Sequence, residues 1–230
     1  MRLRNRIAAY SSERIAELAE ELAPAVSSSL EKRVADYSEE GIEAPFAVSV
    51  EEGASYYKAL PKVESTLLAE MRRMSPAAFE VFCKMILLKL NADAVVEGGP
   101  YDGGVDFYAI GLSWGKLVDP APPSSKAVVM GQSKRYTSAN DVGEVEVRSF
   151  VGGTIKRLDE LRRNHPKRFG LLTPVLLAFW TTGDFSVSAK RYAQELGLWY
   201  LNGIGLAQLA TRLGLSINDV VASEIEAQPI

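Results

Sequence analysis

One cysteine and one histidine, Cys83 and His165, are all that 230 residues contain. A single thiol excludes an intramolecular disulfide framework and suits a reducing compartment. The pair is too small for a His/Cys zinc site, and one histidine leaves no room for chemistry built on several. Long apolar runs are missing as well. No stretch approaches the roughly 18 residues a bilayer span needs. The start, MRLRNRIAAYSSER, is basic but lacks the apolar core of a signal peptide. The expectation is a cytoplasmic protein with no membrane contact. An overall basic balance is absent too: the formal net charge is −3.

What is there is a 47% hydrophobic, ordinarily charged chain, long enough for one domain with an appendage or for two small domains. Its charge is unevenly spread. Residues 126–168 carry 10 basic and 5 acidic side chains, whereas 1–60 carry 7 and 11. A locally positive segment suits a phosphate backbone even where the global sign does not.

The pattern along residues 1–72 predicts a mostly helical, acidic module. Ile15, Leu18, Ala19 and Leu22 make an apolar stripe after Ser11 or Ser12. Pro24 is expected to end that helix, and Ser27 to Ser29 to start a second one carrying Leu30, Val34 and Tyr37. Phe46 to Val50 suits a short strand, and the stretch from Leu60 to Met71 a further helix.

Residues 73–230 form the second expected domain. Ser75-Pro76 is a capping serine before a proline at the first helical position. Phe79, Phe82, Cys83, Ile86, Leu87 and Leu90 follow at helical gaps, with Glu80 on the margin of their stripe. Strand candidates come next at Ala94 to Glu97 and Val105 to Ile110, around the turn-rich GGPYDGG. Asp106 and Tyr108 are expected on one face of the latter, and Val105, Phe107 and Ala109 on the other. A proline-rich connection runs from Leu112 to Ser125.

The strand KAVVMGQSKRY, Lys126 to Tyr136, is the informative one. Alternation puts Val128, Met130, Gln132 and Lys134 on one face. A buried face that ends in an amide and an ammonium needs a partner, because an unpaired buried charge is costly. Asp106 is the nearest acidic candidate. A helix is expected from Asn140-Asp141 to about Arg163, a doubly buried strand at Pro174 to Trp180, a helix at Ser186 to Leu196, a strand at Leu198 to Leu201 and a final helix through Leu213. The tail, Ser216 to Val221, is read as one or two further turns. Helix, three strands, helix, strand, helix, strand, helix is an α/β order built on a mixed sheet.

Asp106, Gln132 and Lys134 together suit phosphodiester hydrolysis. That reaction needs a positioned water and neutralised phosphate charge, and a hard cation on oxygen ligands supplies much of both. Asp106, Glu80, the Gln132 amide oxygen and the Ser133 carbonyl are the candidate ligands. Lys134 would orient the water and stabilise transition-state charge. Arg135 and Tyr136, and Thr182 and Lys190 beside a strand-to-helix turn, are candidate nucleic-acid contacts. Each has a structural alternative: a solvated strand end for the first two, ordinary capping for the others. Lys156, Arg157, Arg162 and Arg163 are read as complementing a helix C-terminus.

The segments SPAAFEVFCKMILLKLNADAVVEGGPYDGGVDFYAIG, VVMGQSKRYTSANDVGEVEVRSFVGG and LLAFWTTGDFSVSAKRYAQELGLWYLNGIGLAQLA resemble the Mrr-like restriction endonuclease family, in the PD-(D/E)xK nuclease superfamily. The resemblance covers roughly residues 74–212. It implies a restriction-endonuclease-like core, a central mixed sheet flanked by helices, beside the helical N-terminal module. It also implies Mg²⁺-dependent DNA cleavage, with Mn²⁺ as a substitute, in restriction or anti-phage defence. Asp106 then fills the place of the metal-binding aspartate, Lys134 that of the catalytic lysine, and Glu80 that of the helix glutamate. Gln132 stands where most of the superfamily has an acid, a variant characteristic of this branch. DNA is the expected partner, in a homodimer or as part of a larger complex. Branched DNA or RNA, or a non-cleaving DNA-binding subunit, are the alternatives.

Overall fold

The computed structural model describes residues 11–40, 44, 46–51, 54–59, 62–97, 104–113, 126–137, 140–167, 169–170 and 172–219. The GGPYDGG turn up to its last glycine, most of the proline-rich connection and the end of the tail lie outside the described residues. The chain divides into two compact units, Met1–Leu60 and Pro61–Ile230.

In the first unit, α1 (Ser12–Glu39) is one helix with Pro24 inside it, not two. Ser11 Oγ caps it by accepting from the Arg14 amide at 3.3 Å. Proline removes one backbone hydrogen bond, but the Ala-, Leu- and Glu-rich residues on both sides propagate the helix past it. β1 (Phe46–Glu51) and β2 (Ala54–Ala59) form an antiparallel hairpin, Phe46 opposite Ala59. The first strand is the expected one; the second carries no comparable signal in the sequence.

The second unit opens with α2 (Lys62–Met71), which corrects the expected boundary at 72/73. Leu67 and Met71 are buried in the same cluster as Phe79, Phe82 and Ile86. A helix whose apolar side completes that core belongs with it. Next come α3 (Pro76–Lys89), β3 (Asp93–Val96), β4 (Phe107–Ser113) and β5 (Lys126–Lys134). They are followed by β6 (Asp141–Val142), α4 (Glu144–Asn164), β7 (Val175–Thr181) and β8 (Asp184–Phe185). The last elements are α5 (Val187–Glu195), β9 (Trp199–Leu201) and α6 (Gly203–Arg212). The main sheet has the order β3-β4-β5-β7-β9. β3, β4 and β5 pair antiparallel, and β5, β7 and β9 pair parallel. It is the expected mixed sheet flanked by helices.

Strand alternation builds two cores. Val129, Phe107, Ala109 and Trp180 pack with α2, α3 and α6 on one face. Val128, Met130, Tyr108 and Phe179 pack with α4 and α5 on the other. Aromatic contacts lock both: Phe107 to Trp180 at 5.1 Å, and Phe150 edge-on to Phe179 at 5.6 Å.

Two local expectations change. Val105 packs with Tyr108 and Ile110 rather than with Phe107 and Ala109. Regular pairing starts only at Phe107 opposite Gly131, so the period of two does not reach back to Val105. The helix expected from Asn140 starts at Glu144, because Asp141 and Val142 pair with Asp184 and Phe185 as a separate two-stranded ribbon. Glu146 then closes the helix start by accepting from the Gly143 amide at 2.8 Å.

Candidate active site

Four elements bring their ends to one edge of the main sheet: the residues entering β4, the exit of β5, the exit of β7 and the early turns of α3. Asp106 stands just before β4. Its amide donates to Gly131 O at 2.9 Å and its carbonyl accepts from the Glu97 amide at 2.8 Å, so its backbone is pinned on both sides. The β4–β5 ladder begins one residue later. Where a further backbone carbonyl would meet the Ser133 amide, the Asp106 carboxylate does so instead: Oδ2 accepts from Ser133 N at 2.7 Å and from Ser133 Oγ at 3.2 Å. An acid substituting for a ladder rung is thereby held rigidly where the strands part.

Ser133 is therefore the direct partner of Asp106, where strand alternation alone points to Lys134. Within an extended strand, the N–H and C=O of one residue point to the same side. The Ser133 carbonyl thus points toward Asp106 as its amide does. Gln132 and Ser133 are each only 9% exposed, and Lys134 is half-buried. A Cβ on Gly104 would lie 3.3 Å from Gln132 Nε2, and Gly104 has φ +80°, a conformation L side chains rarely adopt. The segment leading to Asp106 is thus fitted against the Gln132 amide.

Glu80 enters from α3, whose start is fixed by Ser75 Oγ accepting from the Ala78 amide at 3.1 Å. Cys83, one turn on, is fully buried. Its thiol is pushed well up by burial, and then by the negative charges of Asp106 and Glu80. Carboxylates from two elements therefore act on the same buried sulfur. Among the described residues there is no group of three or more His, Cys, Asp or Glu positioned to hold a metal ion.

Lys134 is anchored through its backbone. Its carbonyl accepts from Thr181 Oγ1 at 2.8 Å and from the Thr182 amide at 3.1 Å. Thr182 itself is fully buried. Its hydroxyl donates to the Tyr136 carbonyl at 3.0 Å and accepts from the Tyr136 amide at 2.7 Å. This corrects the expectation of Thr182 as a nucleic-acid contact: it has no surface to offer and is a clasp between strand ends. The Lys190 ammonium pairs with Asp184 Oδ1 at 3.2 Å, a structural engagement beside the Ser186 cap. The Tyr136 hydroxyl donates to Glu146 Oε1 at 3.1 Å. Burial, with Glu146 beside it, raises the phenol to about 12.

Arg135 keeps a more open role. It is half-buried, and its Nη1 donates to the Arg72 carbonyl at 3.1 Å. Arg157, expected from the sequence to be structural, is tied to the carboxylates of Glu97 and Glu160. Two participants are not visible in the sequence. The Ser133 side chain as a donor follows only from where β4 stops, and Arg72, whose Nε donates to the Thr182 carbonyl at 3.0 Å, acts across 110 residues.

Residues 71–160 match a family model for the Mrr catalytic domain, described as a restriction endonuclease. No curated protein matches the chain. Among solved structures, one similar chain is the MspJI restriction endonuclease in complex with a 27-mer oligonucleotide, at 20% identity and a TM-score of 0.47, covering 73% of this chain and 36% of that one. Another is the DNA modification-dependent restriction endonuclease AspBHI, at 17% identity and a TM-score of 0.47, covering 71% and 39%. A third is the restriction endonuclease FokI, at 12% identity and a TM-score of 0.42, covering 77% and 37%. The chain thus spans well under half the length of each.

Proposed function

We propose, from the match of residues 71–160 to the Mrr catalytic domain family model, that the protein is a divalent-metal-dependent endonuclease hydrolysing DNA phosphodiester bonds, in a restriction or anti-phage role. One observation carries the proposal: the Asp106 carboxylate takes the Ser133 amide at the point where β4 and β5 part, between Gln132 and Lys134 on the same strand.

Mg²⁺, or Mn²⁺ in its place, would be held by Asp106, Glu80, the Gln132 amide oxygen and the Ser133 carbonyl, an all-oxygen set suited to a hard cation. When bound it supplies Lewis-acid polarisation of the phosphoryl oxygens. The chain's own groups do the rest. Lys134, its backbone pinned to β7, would orient the attacking water and neutralise charge that develops on the phosphate as the P–O bond breaks. Arg135, the next residue, would hold the DNA backbone. Cutting both strands requires two such sites, which motivates a homodimer or membership of a larger complex.

A second reading rests on the donor set. Gln132 is neutral, and the described residues hold no cluster of three or more metal-ligating side chains of the His, Cys, Asp or Glu type. A subunit that binds DNA without cutting it would show the same features. Incubation of modified and unmodified plasmid with Mg²⁺ or Mn²⁺ separates the two. Wild type is expected to cut, and Asp106→Ala and Lys134→Ala to lose at least about 10²-fold in rate. Cleavage that survives both substitutions, or a wild type that binds DNA and never cuts it, rejects the nuclease assignment.

A further inference from the structure

Among the described residues the half-buried arginines are Arg72, Arg135, Arg157 and Arg162, and only Arg157 pairs with carboxylates. Arg157 is held by Glu97 and Glu160, and the more exposed Arg148 by Glu144. Arg162 instead lies over the Phe169 ring, 5.3 Å from its centroid, which leaves Arg72 and Arg135. Arg72 lies one residue beyond α2, and Arg135 one residue beyond β5. The Arg72 Nε donates to the Thr182 carbonyl at 3.0 Å, and Arg135 Nη1 donates to the carbonyl of Arg72 itself at 3.1 Å. A guanidinium has five N–H donors. Among the described residues each of these two spends one, on a backbone carbonyl, and neither meets a carboxylate. The Arg135 Nε is buried without any acceptor.

The two arginines are therefore joined, one hydrogen-bonded to the other's backbone, and no carboxylate among the described residues pairs with either. Half-buried cations with spare donors gain when an anion completes them. The fork of a guanidinium matches a phosphate's oxygens, which makes arginine the usual residue where phosphate is gripped by two parallel bonds. The location selects the anion. Arg135 directly follows Lys134, and the hydrogen-bonded loop through Thr182 joins Arg72 to the two strand ends that carry the candidate site.

We propose that Arg72 and Arg135 together form a clamp for a backbone phosphate of the DNA, adjacent to the phosphate that Lys134 serves, so that α2 contributes directly to substrate binding. The identity of the anion rests on the endonuclease reading; the pairing of the two arginines does not.

The test uses the full chain and a labelled duplex, with binding followed by fluorescence anisotropy in EDTA over a salt series. The slope of log K against log salt flattens by about 0.9 for every phosphate that the protein no longer neutralises. Arg72→Gln and Arg135→Gln are each expected to flatten the slope by up to that amount and weaken binding at low salt, with melting temperatures near that of wild type. Arg72→Lys, which keeps the charge, is expected to restore most of the slope. Should Arg72→Gln fail to fold, Arg135→Gln carries the same expectation. If wild type cuts DNA while both glutamine variants keep its slope and affinity, the clamp is overturned and the endonuclease reading stands. If inorganic phosphate raises the melting temperature of wild type but not of Arg72→Gln, with the DNA slope unchanged, the pair serves free phosphate and the clamp is again overturned. If wild type neither binds nor cuts DNA, the functional reading and the clamp fall together.

Discussion

Gly131 shows how tightly the site edge is packed at the level of single atoms. A Cβ there would sit 2.1 Å from carbons of the Phe107 ring, which Trp180 backs at 5.1 Å. Gly131→Ala is expected to cost about 1–3 kcal/mol, the usual range for overpacking a close-packed core, and to lower cleavage with it. Thermal melting and turnover measured on the same variant check both. Tyr136 makes a pH prediction. Its folded pKa of about 12 lies above the unfolded value near 10, so folding favours the neutral phenol. The stability this contributes is fully present below pH 10 and is lost as pH rises through 12. Wild type should therefore lose more stability than Tyr136→Phe between pH 10 and 12 in urea melts. Equal losses would show that Glu146 and burial do not hold the proton.

Among the elements, α4 does more than cover the sheet. Arg157, midway along it, ties to Glu97, and the Glu97 amide donates to the Asp106 carbonyl at 2.8 Å. The helix is thereby linked through one residue to the backbone of the site aspartate. Removing Arg157 leaves Glu97, whose side chain is only 15% exposed, without that partner. Arg157→Ala is expected to cost about 1–3 kcal/mol. A double-mutant cycle with Glu97→Gln should give a coupling of about 0.5–3 kcal/mol, and additive losses would show the pair to be independent. Helix existence was legible in the spacing of apolar residues, as in Phe79, Phe82, Cys83 and Ile86. Helix ends were less so. Pro24 failed to break α1, and Asp141 and Val142 were drawn into β6 by Phe185 and Asp184, partners more than forty residues away.

At the level of the whole chain, the division at 60/61 has a direct consequence. Met71 is fully buried and Leu67 is 6% exposed, both in the core that contains Phe79 and Trp180. Burying each such side chain stabilises by about 1.5–3 kcal/mol, and total stabilities are only about 5–15 kcal/mol. A chain starting at residue 61 is expected to melt cooperatively near the temperature of the full-length second unit. One starting at residue 73 should melt far lower or not fold. Equal melting of the two fragments would return the boundary to the 72/73 position suggested by composition.

By itself the sequence determined the helices and strands of the main mixed sheet and nominated Asp106, Gln132 and Lys134, because periodicity and residue chemistry are local properties. Only the tertiary structure decided who holds whom. Asp106 took the Ser133 amide because β4 ends one residue short of it, a fact about pairing between strands rather than about either strand. Thr182 disappeared into a clasp because β5 and β7 are neighbours despite the helix between them. Arg72 acquired a place at the site because two backbone carbonyls, 110 residues apart in one case, came within reach of two guanidiniums. Those are contacts across the chain, and no spacing along it encodes them.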